Sequence, residues 1–207
     1  MNRAYQTVRL GAGQGLHRLL GRLPDLFEEG DVLQYEAYDP FADLMSRAEL
    51  TVGVTELPVG DAWWVQDERV ILLDSRLDDV QRRCMSAHMA AHLDLNHCPI
   101  PAADLDRLHA REHEAQRLAA SRLVPVDQLL QVVDRVGTRF EDIALTLRVT
   151  PATLRVRLRT FPSGDRRRWV DANQQIECLP HRVPALRCSL TASLSAAETA
   201  QVPALSA

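Results

Sequence analysis

The chain has 207 residues, of which 46% are hydrophobic and 25% are charged, and its formal net charge is −4. This composition is typical of a globular protein with one core or two small ones. It excludes a mostly disordered chain, a collagen-like repeat and a disulfide-stapled miniprotein. The sequence also lacks a run of about 18 consecutive apolar residues, so it predicts no membrane span.

The four cysteines, Cys84, Cys98, Cys178 and Cys188, predict free thiols rather than disulfides. The N-terminus lacks the apolar core of a secretory signal, and we therefore expect a cytoplasmic protein, in which thiols stay reduced. The spacing around Cys178 and Cys188 fits no common zinc pattern. We accordingly expect buried thiols and not metal ligands at these positions.

The first third of the chain predicts helices followed by a small sheet. Residues 1–47 form a helical segment in this interpretation, with a leucine face before Pro24 and a second helix from Pro40 to Met45. Between residues 50 and 74, short β-branched or aromatic runs are separated by turn residues. This pattern predicts a small antiparallel sheet.

The remainder is predicted to be helical up to residue 169. One helix begins after the N-cap pair Asp74-Ser75 and ends near Leu95, and two more cover about 103–123 and 127–136. Two short helices then meet at residues 148–150, where Thr150 caps the second and Pro151 takes its first position. Residues 170–207 are rich in Ala, Ser, Thr and Pro, which predicts a flexible tail.

Two histidines four residues apart, His88 and His92, lie in the run RRCMSAHMAAHLDL. Residues at i and i+4 share one face of a helix, about one turn apart. Two imidazoles placed in this way can hold one zinc ion, as in the H-E-x-x-H motif. The pair therefore predicts half of a metal site.

A second helix offers the carboxylate that such a site needs, in the run REHEAQRLAA. Glu112 has an amide at i+4, Gln116, which can hydrogen-bond a ligand imidazole from behind. Glu114 lies about 200° around the helix from Glu112, so only one of the two can face the metal. We favour Glu112 because Gln116 supports it, and Glu114 remains the alternative.

The order of these segments resembles the ImmA/IrrE family of metallopeptidases. In that family a helix of the type AHExxH precedes a helix of the type ExxA[ND]xxAAxLxxP and then a segment similar to a helix-turn-helix. The resemblance covers about residues 48–160. It implies an α+β fold, a mostly helical zincin-like domain with a small antiparallel sheet, and His88, His92 and Glu112 as ligands of Zn²⁺.

The residue patterns and the resemblance together predict a domain order, and the resemblance also implies a partner. The expected segments are an N-terminal helical segment at 1–47, the metallopeptidase domain at 48–134, a basic helix-turn-helix-like segment at 135–169 and the tail at 170–207. Family members cleave a helix-turn-helix repressor of prophage, mobile-element or stress-response genes. A repressor of this kind is therefore the expected protein partner.

Met89 stands where the family has the glutamate of H-E-x-x-H. That glutamate is the general acid–base, and losing such a group costs about 10²–10⁴ in rate. His97, if the helix continues, faces about 180° away from His88 and cannot replace it. Peptide hydrolysis is therefore expected to be impaired. Gln116 also departs from the family's Asn or Asp.

Residues 135–168 carry nine arginines and three acidic residues, a local charge of +6. Contact with DNA phosphates would use the arginines of the two short helices, Arg148, Arg155, Arg157 and Arg159. Few side chains suited to reading bases accompany them. We expect weak nonspecific DNA contact or an acidic protein partner.

Two functions therefore remain after the sequence analysis. The first is a zinc metallopeptidase-family protein that regulates a helix-turn-helix repressor with impaired hydrolysis. The second is a non-catalytic pseudopeptidase that acts as an antirepressor or a DNA-binding accessory regulator.

Overall fold

The computed structural model describes residues 38–100, 104–160 and 188–191. All of them lie in the second of the two compact units into which the chain divides, Ala37–Ala207. The predicted leucine-faced helix before Pro24 and most of the predicted tail lie outside the described residues. The elements in chain order are α1 Pro40–Ser46, β1 Thr51–Thr55, β2 Ala62–Val65, β3 Val70–Asp74, α2 Asp79–Asp94, α3 Leu105–Leu123, α4 Val126–Val136, α5 Phe140–Thr146, α6 Pro151–Arg159 and β4 Cys188–Thr191.

The predicted α+β class is confirmed, but the sheet is mixed rather than antiparallel. Its strand order is β1-β3-β2-β4. The antiparallel pair is β2 with β3, whereas β1 runs parallel to β3 and β4 runs parallel to β2. The difference arises because β3 inserts between β1 and β2 instead of adding at the far edge, which strand composition alone does not determine.

α2 begins at Asp79, three residues later than a start directly after the pair Asp74-Ser75. Its N-cap is Asp78, which forms a capping box with Gln81. Asp74 instead ends β3, is 1% exposed, and accepts hydrogen bonds from the Leu57 amide and the Arg76 guanidinium. The predicted N-cap is therefore wrong, because the Asp74 carboxylate is already hydrogen-bonded at the end of β3.

Helical structure after α2 follows the sequence closely. α4 ends at Val136 and is followed by the C-cap Gly137, which has a positive φ of 85°. The Thr150 hydroxyl accepts a hydrogen bond from the Thr153 amide at the start of α6. Such a Gly closure and a Thr cap are local signals. The residue between the two short helices, Arg148, also has a positive φ of 52°. In the described part of the chain, every helix is too short or too polar to traverse a lipid bilayer.

Two core clusters lie on different sides of α2. One joins α2 to the inner face of the sheet through Ala62, Trp64 and Ile71. The other joins α2 to α3, α4, α5 and α6, so the basic segment shares a core with the preceding helices. α2 is therefore the central element. The side of α2 that faces neither cluster remains available for functional side chains.

Candidate metal centre

The three sides of α2 are set by the helical period. Met85 and Met89 lie four residues apart and pack in the cluster against the sheet. Ala87 and Ala91 pack in the cluster with the other helices. His88 and His92 form the third stripe, and they are only 7% and 1% exposed. Because residues at i and i+4 share a face, the predicted pairing of the two histidines follows from this helix.

Glu112 of α3 meets the two histidines because small residues let the two helices approach. Ala115 and Ala119, one and two turns beyond Glu112, are buried in the same cluster as Ala87 and Ala91 of α2. The Glu112 Oε2 atom lies 3.2 Å from His88 Nε2, and Glu112 Oε1 lies 3.2 Å from His92 Nε2. The two imidazole Nε2 atoms are 3.1 Å apart. All three predicted ligand residues therefore converge at one point.

Cys188 completes the cluster, although the sequence pattern predicted a flexible tail and no metal site at this position. It begins β4, whose register pairs Cys188 with Ala62 of β2. Residues paired across neighbouring strands point to the same face, and Ala62 faces α2, so the thiol points toward the helix. Its Sγ lies 3.2 Å from His88 Nε2 and 3.6 Å from His92 Nε2.

The prediction of a flexible tail is therefore wrong for residues 188–191, because these residues pair with the distant strand β2. Cys188 is separated from His92 by 96 positions in the chain. No local pattern in a four-residue strand predicts which edge it joins. The one sequence signal was the presence of a cysteine itself, which is a preferred zinc ligand once a second ligand is nearby.

The four side chains fit a divalent metal by both chemistry and spacing. Ligand atoms about 2.0–2.3 Å from a tetrahedral zinc ion lie about 3.3–3.6 Å from one another. The six observed separations among the two Nε2 atoms, the Cys188 sulfur and the nearest Glu112 oxygens run from 3.1 to 3.6 Å. Two imidazoles, a carboxylate and a thiol are the donor types that zinc takes in proteins.

The protonation states also suit metal binding. Burial acts to raise the pKa of Glu112, but the hydrogen bonds from His88 and His92 outweigh it and hold that pKa below its usual range. Burial lowers the pKa of His92, so its imidazole is neutral near pH 7. Burial and then the charge of Glu112 raise the pKa of the Cys188 thiol. A neutral imidazole and an ionised carboxylate thus stand ready as ligands, and the thiol ionises when it binds a metal.

His97 lies behind His92, contrary to the expectation that it would face elsewhere. α2 ends at Asp94, and Asn96, with a positive φ of 51°, turns the chain back. The His97 Nδ1 atom then lies 3.0 Å from His92 Nδ1, and His97 Nε2 lies 3.4 Å from a Glu114 carboxylate oxygen. The outer nitrogen of His92 is thereby held, as is common for metal-binding imidazoles.

The two glutamates of α3 consequently have different neighbours. Glu112 faces the histidine pair, whereas Glu114 is 60% exposed at its side chain and pairs with His97. Among the described residues, no hydrogen bond joins Gln116 to His88 or His92. The role of Gln116 behind a ligand stays a prediction, and His97 is the residue that contacts a ligand from that side.

Met89 is 0% exposed and packs against the sheet with Trp64 and Ile71. It carries no group that exchanges protons. The side chain at this position therefore fills the core between α2 and the sheet.

The arginines of the basic segment differ in accessibility. Arg157 is 4% exposed, and its Nε donates to the Val124 carbonyl at 2.7 Å while its Nη1 donates to the Thr160 carbonyl. It is therefore not available to a phosphate, contrary to the prediction. Arg148 and Arg159 are exposed, and Arg155 is half-buried.

The chain matches the model of a known protein family. The family of the IrrE N-terminal-like domain, a peptidase family, matches residues 48–159, more than half of the chain. This range includes β1 to α6 and the residues His88, His92 and Glu112, but it ends before Cys188. The search of curated proteins finds no match for the chain.

Proposed function

Because the chain belongs to the ImmA/IrrE family of metallopeptidases, whose IrrE N-terminal-like domain it contains, we propose that it is a zinc-binding regulator of a helix-turn-helix transcriptional repressor, with impaired peptide hydrolysis. The convergence of His88, His92 and Glu112 within 3.2 Å of one another carries the metal-binding part of this proposal. Family membership supports the repressor as partner, of the phage, mobile-element or stress-response type.

Zinc is the metal that the donor set favours, since imidazole nitrogen, carboxylate oxygen and thiolate sulfur together suit it better than magnesium or calcium. A zinc ion, when bound, supplies a Lewis acid that lowers the pKa of water. His88, His92 and Glu112 would hold it, and His97 would fix the ring orientation of His92.

The impairment of hydrolysis is inferred from Met89. A thioether neither accepts nor donates a proton, so the general acid–base contribution of about 10²–10⁴ in rate is missing from this position. Glu114 is paired with His97 on the far side of His92. Neither residue thus offers a carboxylate at the position of the family's base.

This observation favours the second candidate function, a non-catalytic antirepressor. Such a protein would hold the repressor in the groove that a peptidase uses for its substrate and would release it uncut. A DNA-binding accessory role has weaker support, because the Arg157 guanidinium is engaged in the core and is not exposed to a DNA phosphate.

The metal-binding part is tested by the zinc content of the purified full chain. We expect about one zinc per chain, lost in His92→Ala, because the remaining ligand residues bind zinc poorly without the second imidazole. His113→Ala is the matched control, since His113 is exposed on α3 next to Glu112. Equal zinc in His92→Ala and the wild type would contradict the site.

The regulatory part is tested by co-expression with a small helix-turn-helix repressor encoded beside this gene. We expect the repressor to co-purify with the chain at its full mass. Efficient cleavage that disappears in His92→Ala would instead establish an active peptidase. The absence of both binding and cleavage would refute the repressor as partner.

A further inference from the structure

β4 occupies the edge of the sheet next to the metal centre. In the described part of the chain, β2 pairs with β3 on one side and with β4 on the other. Without β4, the main chain of Ala62–Val65 would be an open edge, onto which an extended peptide can add as a further strand. The position of Cys188 shows that a chain seated on this edge presents a side chain to His88 and His92.

The thiol of Cys188 sits where a fourth ligand belongs. Besides its contacts with the histidines, its Sγ lies 3.4 Å from Glu112 Oε1 and 3.6 Å from Glu112 Oε2. It is thus adjacent to each of the other three side chains. A catalytic zinc site keeps three protein ligands and an open position, whereas a closed site has four.

We propose that the Cys188 thiolate is the fourth ligand of the metal and that β4 thereby closes the centre, as a plug formed by the chain's own C-terminal region. The inference rests on the metal site of the proposed function and adds its regulation. When the sulfur–metal bond forms, the S–H bond breaks and its proton passes to solvent. The step needs no oxidant or reductant.

Charge balance supports four ligands over three. A divalent cation held by two neutral imidazoles and one carboxylate keeps a net charge of +1, in a site where His92 is 1% exposed. A thiolate brings the group to neutrality, which lowers the cost of burying it.

The plug has two consequences for a partner. A peptide that adds to β2 must displace β4 from the strand edge, and a group that approaches the metal must displace the Cys188 sulfur. Both obstacles lie in the four residues Cys188–Thr191, which follow the family match. Access to the centre is therefore controlled by a segment outside the peptidase-like domain.

Cobalt substitution of the full chain tests the ligand directly. Thiolate-bound Co²⁺ shows a sulfur-to-metal charge-transfer band in the near ultraviolet, which nitrogen and oxygen ligands do not produce. We expect this band in the wild type and in Cys98→Ser, and its loss in Cys188→Ser. Cys98 is the matched control because its thiol is exposed and contacts none of the three other ligand residues.

Alkylation of the unmutated chain tests the plug without relying on a variant that folds. Iodoacetamide labelling is followed by peptide mass spectrometry, with one equivalent of Zn²⁺ or with a chelator. We expect labelling of Cys188 to slow by at least about tenfold with Zn²⁺, because a coordinated thiolate is not free to react. Labelling of the exposed Cys98 should not change.

The outcomes separate this inference from the proposed function. If the wild type binds one cobalt, loses it in His92→Ala, shows no charge-transfer band and labels Cys188 equally with and without zinc, the plug is overturned while the metal site stands. If the wild type binds no stoichiometric metal, both are overturned.

Discussion

Met89 follows His88 directly in the chain, yet the two side chains serve different parts of the molecule. Adjacent residues of a helix point about 100° apart, so His88 faces the metal centre while Met89 packs against the sheet. The position offers an apolar environment, where a charged group is costly.

Met89→Glu is expected to destabilise the chain and not to restore hydrolysis. A carboxylate at a position that is 0% exposed should lower the free energy of unfolding by more than about 2 kcal/mol. Met89→Leu keeps the volume and should cost less than about 1.5 kcal/mol. Urea unfolding at pH 7 measures both. A Glu variant as stable as the wild type and active on the repressor would show that the position tolerates the family's base.

His97 is the residue that holds His92 in place. We expect His97→Ala to weaken zinc binding by about 10–100-fold, because the His92 ring loses the partner of its outer nitrogen. Competition with a chromogenic chelator measures the zinc affinity, and circular dichroism checks the fold. His113→Ala, on the exposed side of α3, serves as the control. An unchanged affinity in His97→Ala would assign His97 a packing role only.

Among the elements, α6 combines a core-facing and a solvent-facing side within nine residues. Leu154 and Leu158 belong to the core that α2, α3, α4 and α5 share. The guanidinium of Arg157 points to the same side and satisfies the carbonyl of Val124, just beyond the end of α3. The number of arginines in α6 therefore overstates the positive charge that this helix exposes to a partner.

Arg157→Ala and Arg159→Ala are expected to differ in their effects on stability. Removing Arg157 leaves the buried Val124 carbonyl and the part-buried Thr160 carbonyl without their donor, which should cost about 1–3 kcal/mol. Arg159 is exposed, and its removal should stay within about 0.5 kcal/mol. Thermal unfolding measures the stability of the two variants against the wild type. The reverse order, or a DNA affinity that falls more in Arg157→Ala than in Arg159→Ala, would restore the phosphate-contact interpretation.

For the molecule as a whole, the metal centre is a junction of three elements. α2 supplies two ligand residues, α3 supplies Glu112 and β4 supplies Cys188. A metal at this point links the sheet edge to the helical core. Because the unfolded chain has no such preformed site, binding free energy adds to folding free energy.

Zinc is therefore expected to raise the melting temperature of the full chain. At a free zinc concentration of about 100 times the dissociation constant, the stabilisation is about 2.7 kcal/mol. For a chain of this size that corresponds to a rise of about 5–10 °C. Scanning calorimetry with zinc and with a chelator measures it, and His92→Ala should show no rise. An equal rise in that variant would mean that zinc acts elsewhere.

The sequence by itself determined the features that depend on residues close together in the chain. The pairing of His88 with His92 needs only the helical period, and the Thr150 cap and the Gly137 closure need only a few neighbouring residues. The same period shows that only one of Glu112 and Glu114 can face the histidines, whereas the packing of α3 against α2 decides that it is Glu112.

Tertiary structure alone decided the strand order, the contact of His97 with His92 and the position of Cys188 at the histidine pair. Each depends on contacts between distant segments or on where an element ends, as when α2 stops at Asp94 and the chain turns at Asn96. Cys188 reaches His92 across 96 positions by pairing with Ala62. Since a short strand carries no signal for its partner edge, only folding brings that sulfur to the histidines.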